Sequence, residues 1–397
     1  MVTTGLYSDS SRMSMGKTRI LCCLLLLLSA GCKSHHATDT AIPERHFAPL
    51  ALTREVDEIG EYISDVEMVS LSPVNAPFSG ISKLVVTDSC YYLVSGGAVF
   101  SISNDGENIQ SIGRLGRGPG EYLSIKDITI NPSGNELWCL DVTNRVLRFS
   151  CPKGDFIGQV DPGSGIGYAR AVFPASNESF ILYSPNPLDD GSSHKGYYCL
   201  TCYDFNLNVL EKKLEWEAFN ADIGFTAPVT REGTLHILAP TSSSPAIVFH
   251  NGEEAEHLYF DFGTKGIPAG YFSKDIDQAW RKISDLFEAD RYKFVSALYF
   301  PDGNVYFQAF GKESSVWNFF LDTKTGKGIR WSSIGGLLPP ITALASDDGY
   351  LFFPYSDYGL VPAQEERDPL KKYIIERFGL PENKDANYII KVKLHVE

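Results

Sequence analysis

Residues 125–140 read Ile125-Lys126-Asp127-Ile128-Thr129-Ile130-Asn131-Pro132-Ser133-Gly134-Asn135-Glu136-Leu137-Trp138-Cys139-Leu140, an apolar run, a tight polar turn and a second apolar run. β-Branched and aromatic residues on either side of an Asn/Pro/Gly turn read as a β-hairpin. The pattern returns along the chain, each time followed by one or two further short strands. Its first turns fall at Asp88-Ser89, Ser133-Gly134, Ala175-Ser176-Asn177, Glu232-Gly233, Asp302-Gly303 and Asp348-Gly349. Between positions 89, 134, 176, 233, 303 and 349 the intervals are 45, 42, 57, 70 and 46 residues. A recurrence of roughly 40–50 residues with about four strands per unit marks a β-propeller, one blade per repeat. One such repeat cannot bury its own faces, whereas six packed in a ring can. The sequence therefore predicts an all-β fold, a six-bladed β-propeller with two short helical insertions.

The units run over 81–112, 125–160, 168–216, 225–262, 292–334 and 341–396. The last has only three strands, and an orphan strand at 61–71, with Ile63, Val66 and Val69 in loose alternation, supplies its fourth. The propeller is thus expected over 61–397, closed by both ends of the chain so that no sheet edge is left open. Two stretches break the pattern. Residues 273–290 space Ile276, Ala279, Trp280, Ile283, Leu286 and Phe287 as the apolar stripe of an amphipathic helix. Residues 363–378 are a weaker helix candidate, ended by Pro381.

The 397 residues are 43% hydrophobic, 12% aromatic and 21% charged, the composition of a folded chain with ample core. A net charge of −14 disfavours nucleic acid as a partner, because phosphate binding needs a basic face.

The N-terminus reads as a targeting signal over 1–31, with Met15 as a plausible true start. Lys17 and Arg19 precede an apolar run from Ile20 to Leu28, then Ser29-Ala30-Gly31-Cys32. That run is too short to span a bilayer. Small residues directly before a cysteine resemble the lipobox of bacterial lipoproteins, which implies acylation of Cys32; Ser29 stands where the lipobox usually has Leu. Residues 32–60 carry Ser, His, Thr, Pro and charge without periodicity and read as a lipidated flexible tether. Once Cys22, Cys23 and Cys32 are set aside, Cys90, Cys139, Cys151, Cys199 and Cys202 remain, an odd number without regular spacing. No disulfide framework or zinc site follows from them.

Strands within a blade alternate direction, so connections sort onto two faces. Links between first and second and between third and fourth strands are short: Asn104–Gly106, Asn131–Glu136, Asn251–Glu253 and Pro301–Asn304. Second-to-third and inter-blade links carry the long pieces: Ser184–Gly196, Thr241–Pro245, both helical stretches and the block Gly113–Tyr122. Binding residues concentrate on loops held by a rigid scaffold, so a site is expected on this second face.

Gly113-Arg114-Leu115-Gly116-Arg117-Gly118-Pro119-Gly120-Glu121-Tyr122 demands a contorted backbone with positive φ angles. It is neither a P-loop nor a dinucleotide fingerprint, for it lacks the Gly-Lys-Ser/Thr of one and the strand–helix context of the other. Arg114 and Arg117 could meet an anionic ligand; equally, they could pair with carboxylates such as Glu121 and staple two blades. Leu137 to Phe149 is similar to the NHL repeat of propeller proteins, in which an Asp and an Asn, here Asp141 and Asn144, organise the second-to-third strand turn. Backbone hydrogen bonding by both is a sufficient reason for them.

Taken together, the glycine–arginine block, the NHL-like blade and the lipobox resemble the six-bladed β-propeller lipoproteins of Bacteroidetes, closely over 62–160 and loosely beyond. Asp385-Ala386-Asn387 is a diverged form of an Asp-Asn-Pro such proteins often carry. The resemblance carries over no catalytic residue. The function it fits is a lipid-anchored extracytoplasmic binding or scaffold module for a peptide, glycan or protein partner. The candidate ligand contacts are Arg114, Arg117, Glu121, Tyr122, Asn144 and Arg145. A propeller hydrolase or lyase with a channel metal or carboxylate site is the alternative, although the histidines show no convergent spacing. A calcium-dependent structural role is a third reading, and no loop has the alternating carboxylates of a Ca²⁺ loop. No cofactor or metal site is expected, and the chain is expected to act as a monomer. Acyl chains on Cys32 would anchor it to the outer membrane. Lys33-Ser34-His35-His36 after the cysteine, in place of acidic residues, favours the periplasmic side over the cell surface.

Overall fold

The computed structural model describes residues 41–71, 78, 80–163, 167–184, 198–215, 234–237, 245–250, 252–268, 285, 289–292, 295–311, 315–333, 342–356, 368–379 and 387–397. Ahead of the repeats the chain forms β1 (Glu44–Phe47), a one-turn helix α1 (Pro49–Leu52), β2 (Thr53–Glu55) and β3 (Ile63–Ser70). Six sheets follow, one per repeat. Blade 1 is β4 (Ile81–Val86), β5 (Cys90–Ser95), β6 (Ala98–Ser103) and β7 (Ile109–Ile112). A two-strand ladder, β8 (Arg114–Leu115) with β9 (Glu121–Tyr122), leads into blade 2: β10 (Ile125–Ile130), β11 (Glu136–Asp141), β12 (Val146–Ser150) and β13 (Phe156–Val160). Blade 3 is β14 (Ala171–Pro174), β15 (Ser179–Tyr183), β16 (Tyr198–Asp204) and β17 (Val209–Glu215).

Blade 4 contains β18 (Thr234–Ile237), β19 (Ala246–His250) and β20 (Glu253–Phe260), and β1 lies parallel to β20 along its outside. Blade 5 is β21 (Val295–Tyr299), β22 (Val305–Phe310), β23 (Val316–Asp322) and β24 (Lys327–Ser333), and β2 is added parallel to β24. Blade 6 is β25 (Ala345–Asp347), β26 (Tyr350–Ser356) and β27 (Asn387–Leu394), with β3 antiparallel to β27 as its outermost strand.

The six-bladed propeller predicted from the repeat is present, and its core divides by junction. Tyr92 and Val94 of blade 1 pack on Ile128 and Leu137 of blade 2. Trp138 and Leu140 of blade 2 meet Val172 and Phe180 of blade 3, and Phe173 and Ile181 meet Phe249 of blade 4. Val248 and Phe260 pack on Phe307 and Phe319 of blade 5. Tyr306 and Trp331 then meet Phe353 and Ile390 of blade 6. Phe352 and Ile389 return to Leu84 and Leu93 of blade 1, which closes the ring. Each fully buried side chain of this kind contributes about 1.5–3 kcal/mol, so the ring is held chiefly between blades.

The stretch expected to be a flexible tether requires correction over 44–60. Glu44–Phe47 and Thr53–Glu55 are strands and Gly60–Tyr62 is a 3₁₀ turn. Their apolar residues are few and widely spaced, so no apolar alternation announced them; backbone ladders hold the strands in place, helped by Phe47 and Tyr62 packing on the core. The helix expected over 273–290 lies outside the described residues apart from residues 285, 289 and 290, of which Asp285 is helical. The second helix runs from Pro369 to Phe378 (α2). Asp368 caps its start by accepting from the N–H groups of Leu370 and Lys371, and Gly379, at φ 54°, ends it in the left-handed region before Pro381 is reached.

Candidate functional site

The link from β7 to β10 lies on the face expected to carry function. Arg114 pairs with Glu121 and Leu115 with Tyr122 in a parallel ladder that folds the loop back on itself. Gly116 makes this possible. Its φ is +156°, and a Cβ there would sit 2.1 Å from Glu121 Oε2. The Glu121 carboxylate fills that space, accepting from Gly118 N at 2.7 Å and Arg114 Nε at 2.6 Å. These donors, the Gly118 N–H first, hold it below the usual carboxylate range. Tyr122 is fully buried; its hydroxyl donates to Ile112 O at 2.9 Å and accepts from Val99 N at 3.1 Å. The loop is thereby sewn to blade 1.

The β11–β12 turn is organised by Asp141, which is completely buried. One carboxylate oxygen accepts from the backbone N–H groups of Thr143 and Arg145; the other accepts from Arg145 Nη2 at 2.6 Å. Arg145 Nη2 also reaches Glu121 O at 3.3 Å. Asn144 sits at φ 70°, the left-handed region that Asn tolerates better than most residues. Its amide donates to Gly167 O at 2.7 Å and its oxygen accepts from Ala169 N at 3.0 Å. Loops of blades 1, 2 and 3 are therefore clamped together through Glu121, Asp141, Asn144 and Arg145.

Of the six sequence-predicted contacts, Tyr122, Asn144 and Arg145 spend their polar atoms on this framework. Arg114 is 80% exposed although paired with Glu121, and Arg117 is exposed with no ion pair among the described residues.

Sequence reading missed the neighbours of that framework. β10 carries a register shift between Ile125 and Asp127, so Lys126 occupies a β-bulge, a device that re-aims a side chain. Its Nζ donates to Asn144 Oδ1 at 3.1 Å and lies 3.8 Å from the centroid of the Tyr168 ring, which is 51% exposed. Burial pushes the Lys126 amine down to about 8, opposed by Asp141 and Asp127 and reinforced by Arg170. The equivalent bulge in β4 falls at Ser82, and Lys83 after it pairs with the buried Asp127 at 3.0 Å across the blade 1–blade 2 junction. The available signal was the break in apolar alternation at Ile125-Lys126-Asp127, which reads as a charged strand start unless a bulge is suspected.

No group of three or more His, Cys, Asp or Glu able to hold a metal occurs among the described residues. On the opposite face a cavity of about 370 Å³ lies between the first turns of blades 1 and 2. Thr87, Asp88, Asn131, Ser133 and the buried Tyr92 are among the residues lining it.

Comparison with known proteins gives a family and a fold. The family model described as Domain of unknown function (DUF4934) matches residues 55–392. No curated protein matches the chain. The crystal structure of a Bacteroides fragilis protein described as exported is similar at 14% identity and TM-score 0.67, covering 89% of this chain and 100% of that one. At that identity the likeness carries the fold alone. U3-55K (11% identity, TM-score 0.36, 82% of this chain and 98% of that one) carries no argument. Nor does the C-terminal WD40 domain of Sif2 (10% identity, TM-score 0.39, 79% and 92%).

Proposed function

This chain belongs to the DUF4934 family, whose function is unknown, and we propose that it is a lipid-anchored extracytoplasmic binding module. Its ligand face is the one built from residues 113–122, 141–145 and 167–170, offered to a peptide, glycan or protein partner. The observation that carries this reading is the clamping of three loops, which leaves Arg117 exposed without an ion pair among the described residues and Arg114 exposed although paired with Glu121. Exposed cations on a fixed frame lose little entropy on meeting an anionic group. The anchor rests on the sequence: a basic n-region, a short apolar run and Ser29-Ala30-Gly31 before Cys32. The similar Bacteroides fragilis protein is described as exported. The NHL-like character of blade 2 rests on the Asp141 and Asn144 turn. Acyl chains on Cys32 would attach the chain to the outer membrane, and Lys33-Ser34-His35-His36 after the cysteine favour the periplasmic side.

Two experiments test the proposal. Metabolic labelling with a palmitate analogue should mark the chain and fail for Cys32→Ser, which should also leave the membrane fraction; unchanged labelling would refute the anchor. A thermal-shift screen against glycans, cell-wall fragments, peptides and divalent metals reads ligands that bind only the folded state. A stabilising ligand lost on Arg114→Ala with Arg117→Ala supports the face; a metal response indifferent to those changes would overturn it in favour of an enzyme.

A further inference from the structure

The outer strands of three neighbouring blades begin alike and differ in what they expose. In blade 2 the register of β12 with β13 passes from Phe149–Phe156 to Arg148–Gly158, so Ile157 is a bulge residue one step into the fourth strand. Blade 3 repeats this with Tyr203–Val209 and Cys202–Glu211 around Leu210. Blade 4 does so with Phe249–Glu254 and Val248–Glu256 around Ala255. The bulges mark equivalent positions, where each fourth strand starts beside the face of the short turns. Blade 4 holds Glu254 and Ala255 there, next to the foot of β1, where Pro43 O accepts from His257 N at 2.9 Å. Blades 2 and 3 hold Phe156-Ile157 and Val209-Leu210, all four between 40% and 57% exposed, and Ile42 is exposed just ahead of β1. The fourth strands of blades 1, 5 and 6 open with Ile109-Gln110, Lys327-Gly328 and Ile63-Ser64 and expose no large apolar side chain there. Single exposed apolar residues are ordinary. Adjacent pairs at one level of two neighbouring blades, with a fifth residue where the N-terminal segment reaches blade 4, make a band on the outer rim.

We propose that this band, Phe156-Ile157, Val209-Leu210 and Ile42, lies against the bilayer that holds the acyl chains of Cys32, a step that deepens the lipid-anchored reading and rests on it. The length of the tether selects the lipid surface as the occupant. Pro43 stands eleven residues after Cys32, and a chain of that length spans at most about 40 Å when fully extended. The anchor would therefore keep the rim of blade 4 close to the membrane. Blade 3 is tied to that rim: Lys213 of β17 donates to Gly252 O at 3.0 Å, in the turn between β19 and β20. Once one point is held, entry of further side chains is intramolecular, so a few suffice where a free protein would need many. The band is also electrically neutral in a chain of net charge −14. β13 has no charged residue, and β17 sets Glu211 and Glu215 against Lys212 and Lys213. It meets phospholipid head groups without the repulsion that an acidic surface would bring. Contact through the rim stands the ring on edge, so that neither face is covered and the loops at 113–122 and 141–145 stay open to a partner.

The test uses the acylated full chain, extracted in detergent and reconstituted into phosphatidylethanolamine–phosphatidylglycerol vesicles with or without bromine on the acyl chains. Ile157→Trp, Leu210→Trp and, on the other face, Val142→Trp are each read as the emission added to that of the parent chain. Phe156→Trp and Val209→Trp serve as second reporters if either rim variant melts early. Brominated lipid should quench about half or more of the emission added at the rim, as seating about 5–10 Å into the head-group boundary requires, and little of that at 142. Ile157→Glu with Leu210→Glu should still float with the vesicles, because the acyl chains hold it, while Val209→Trp added to that pair should lose its quenching. Equal quenching at 142 and at the rim would overturn the proposal, as would quenching in only one of blades 2 and 3. Unquenched emission that shifts to the blue as protein concentration rises would assign the band to a second copy instead. A chain that floats with vesicles yet shows an unquenched rim sinks the band alone and leaves the anchor standing; a chain that does not float sinks both.

Discussion

The two halves of the ring are held by different means. Blades 4, 5 and 6 are bound from outside by one continuous N-terminal segment, which lays β1, β2 and β3 along successive blades through backbone ladders. Blades 1, 2 and 3 are joined at their loops by side chains, with Glu121, Asp141, Asn144 and Arg145 as the clamp. A ladder is indifferent to most side chains, so it tolerates substitution and leaves no motif. A clamp is made of particular donors and acceptors, so it is legible and breaks at a single residue. Within the ladders there is a further difference: β3 runs antiparallel to β27 as the fourth strand of its blade, whereas β1 and β2 run parallel to the last strands of their repeats, β20 and β24, and β2 is a fifth strand.

The largest effect should come from removing β3. A chain beginning at Ser72 leaves β27 as the outer edge of a three-stranded blade, uncovers Ile390 and Val392 on one side, and should show no cooperative thermal transition by circular dichroism. A chain beginning at Val56 loses β1 and β2 but keeps β3, and should unfold cooperatively at a lower temperature. If both truncations behave alike, the distinction between completing a blade and lining one is wrong.

Next in size is the clamp. Asp141→Ala removes the buried partner of Arg145, whose side chain is only 13% exposed, and leaves the turn N–H groups unsatisfied. A loss of about 3–5 kcal/mol is expected in urea unfolding. The matching change on the strapped half, Glu256→Ala, frees Arg45, which is 39% exposed, and should cost less than about 1 kcal/mol. Between them lies Tyr122→Phe, which strips Ile112 O and Val99 N of their partner at a cost of about 1–3 kcal/mol. A Glu256→Ala loss as large as that of Asp141→Ala would erase the contrast between the halves.

That contrast also explains what could be read from the sequence. Blade count and the turn chemistry of Asn131 and Asp141 were legible because the period-2 pattern and side-chain-to-backbone bonding are local. Gly113, Gly116 and Gly120 announced a contorted loop, and each has positive φ. What was not legible was nonlocal. Nothing in Glu44–Phe47 declares that its partner is 213 residues away, at His257 to Phe260. The burial of Tyr122 depends on a loop folding back over blade 1, and the setting of Lys126 depends on a bulge together with a turn and a link from other parts of the chain.

The smallest effect is the most specific to the clamped half. Burial lowers the Lys126 amine from 10.5 to about 8, so between those values the unfolded chain holds a proton that the folded protein has released. Stability must then rise with pH across that window, and the cost of keeping the cation half-buried is present in full only below about 8. Lys126→Met abolishes that cost. Its gain over wild type, read as a shift in urea midpoint, should be constant from pH 6 to about 8 and fade as pH approaches 10.5. Solvent reaches the amine, so screening keeps the gain small. Had the amine been neutralised by a carboxylate, as Lys83 is by Asp127, the slope would run the other way: removing the lysine would destabilise the protein below its raised value and matter less above it. The direction of the slope therefore reports whether the clamped face carries an unneutralised charge.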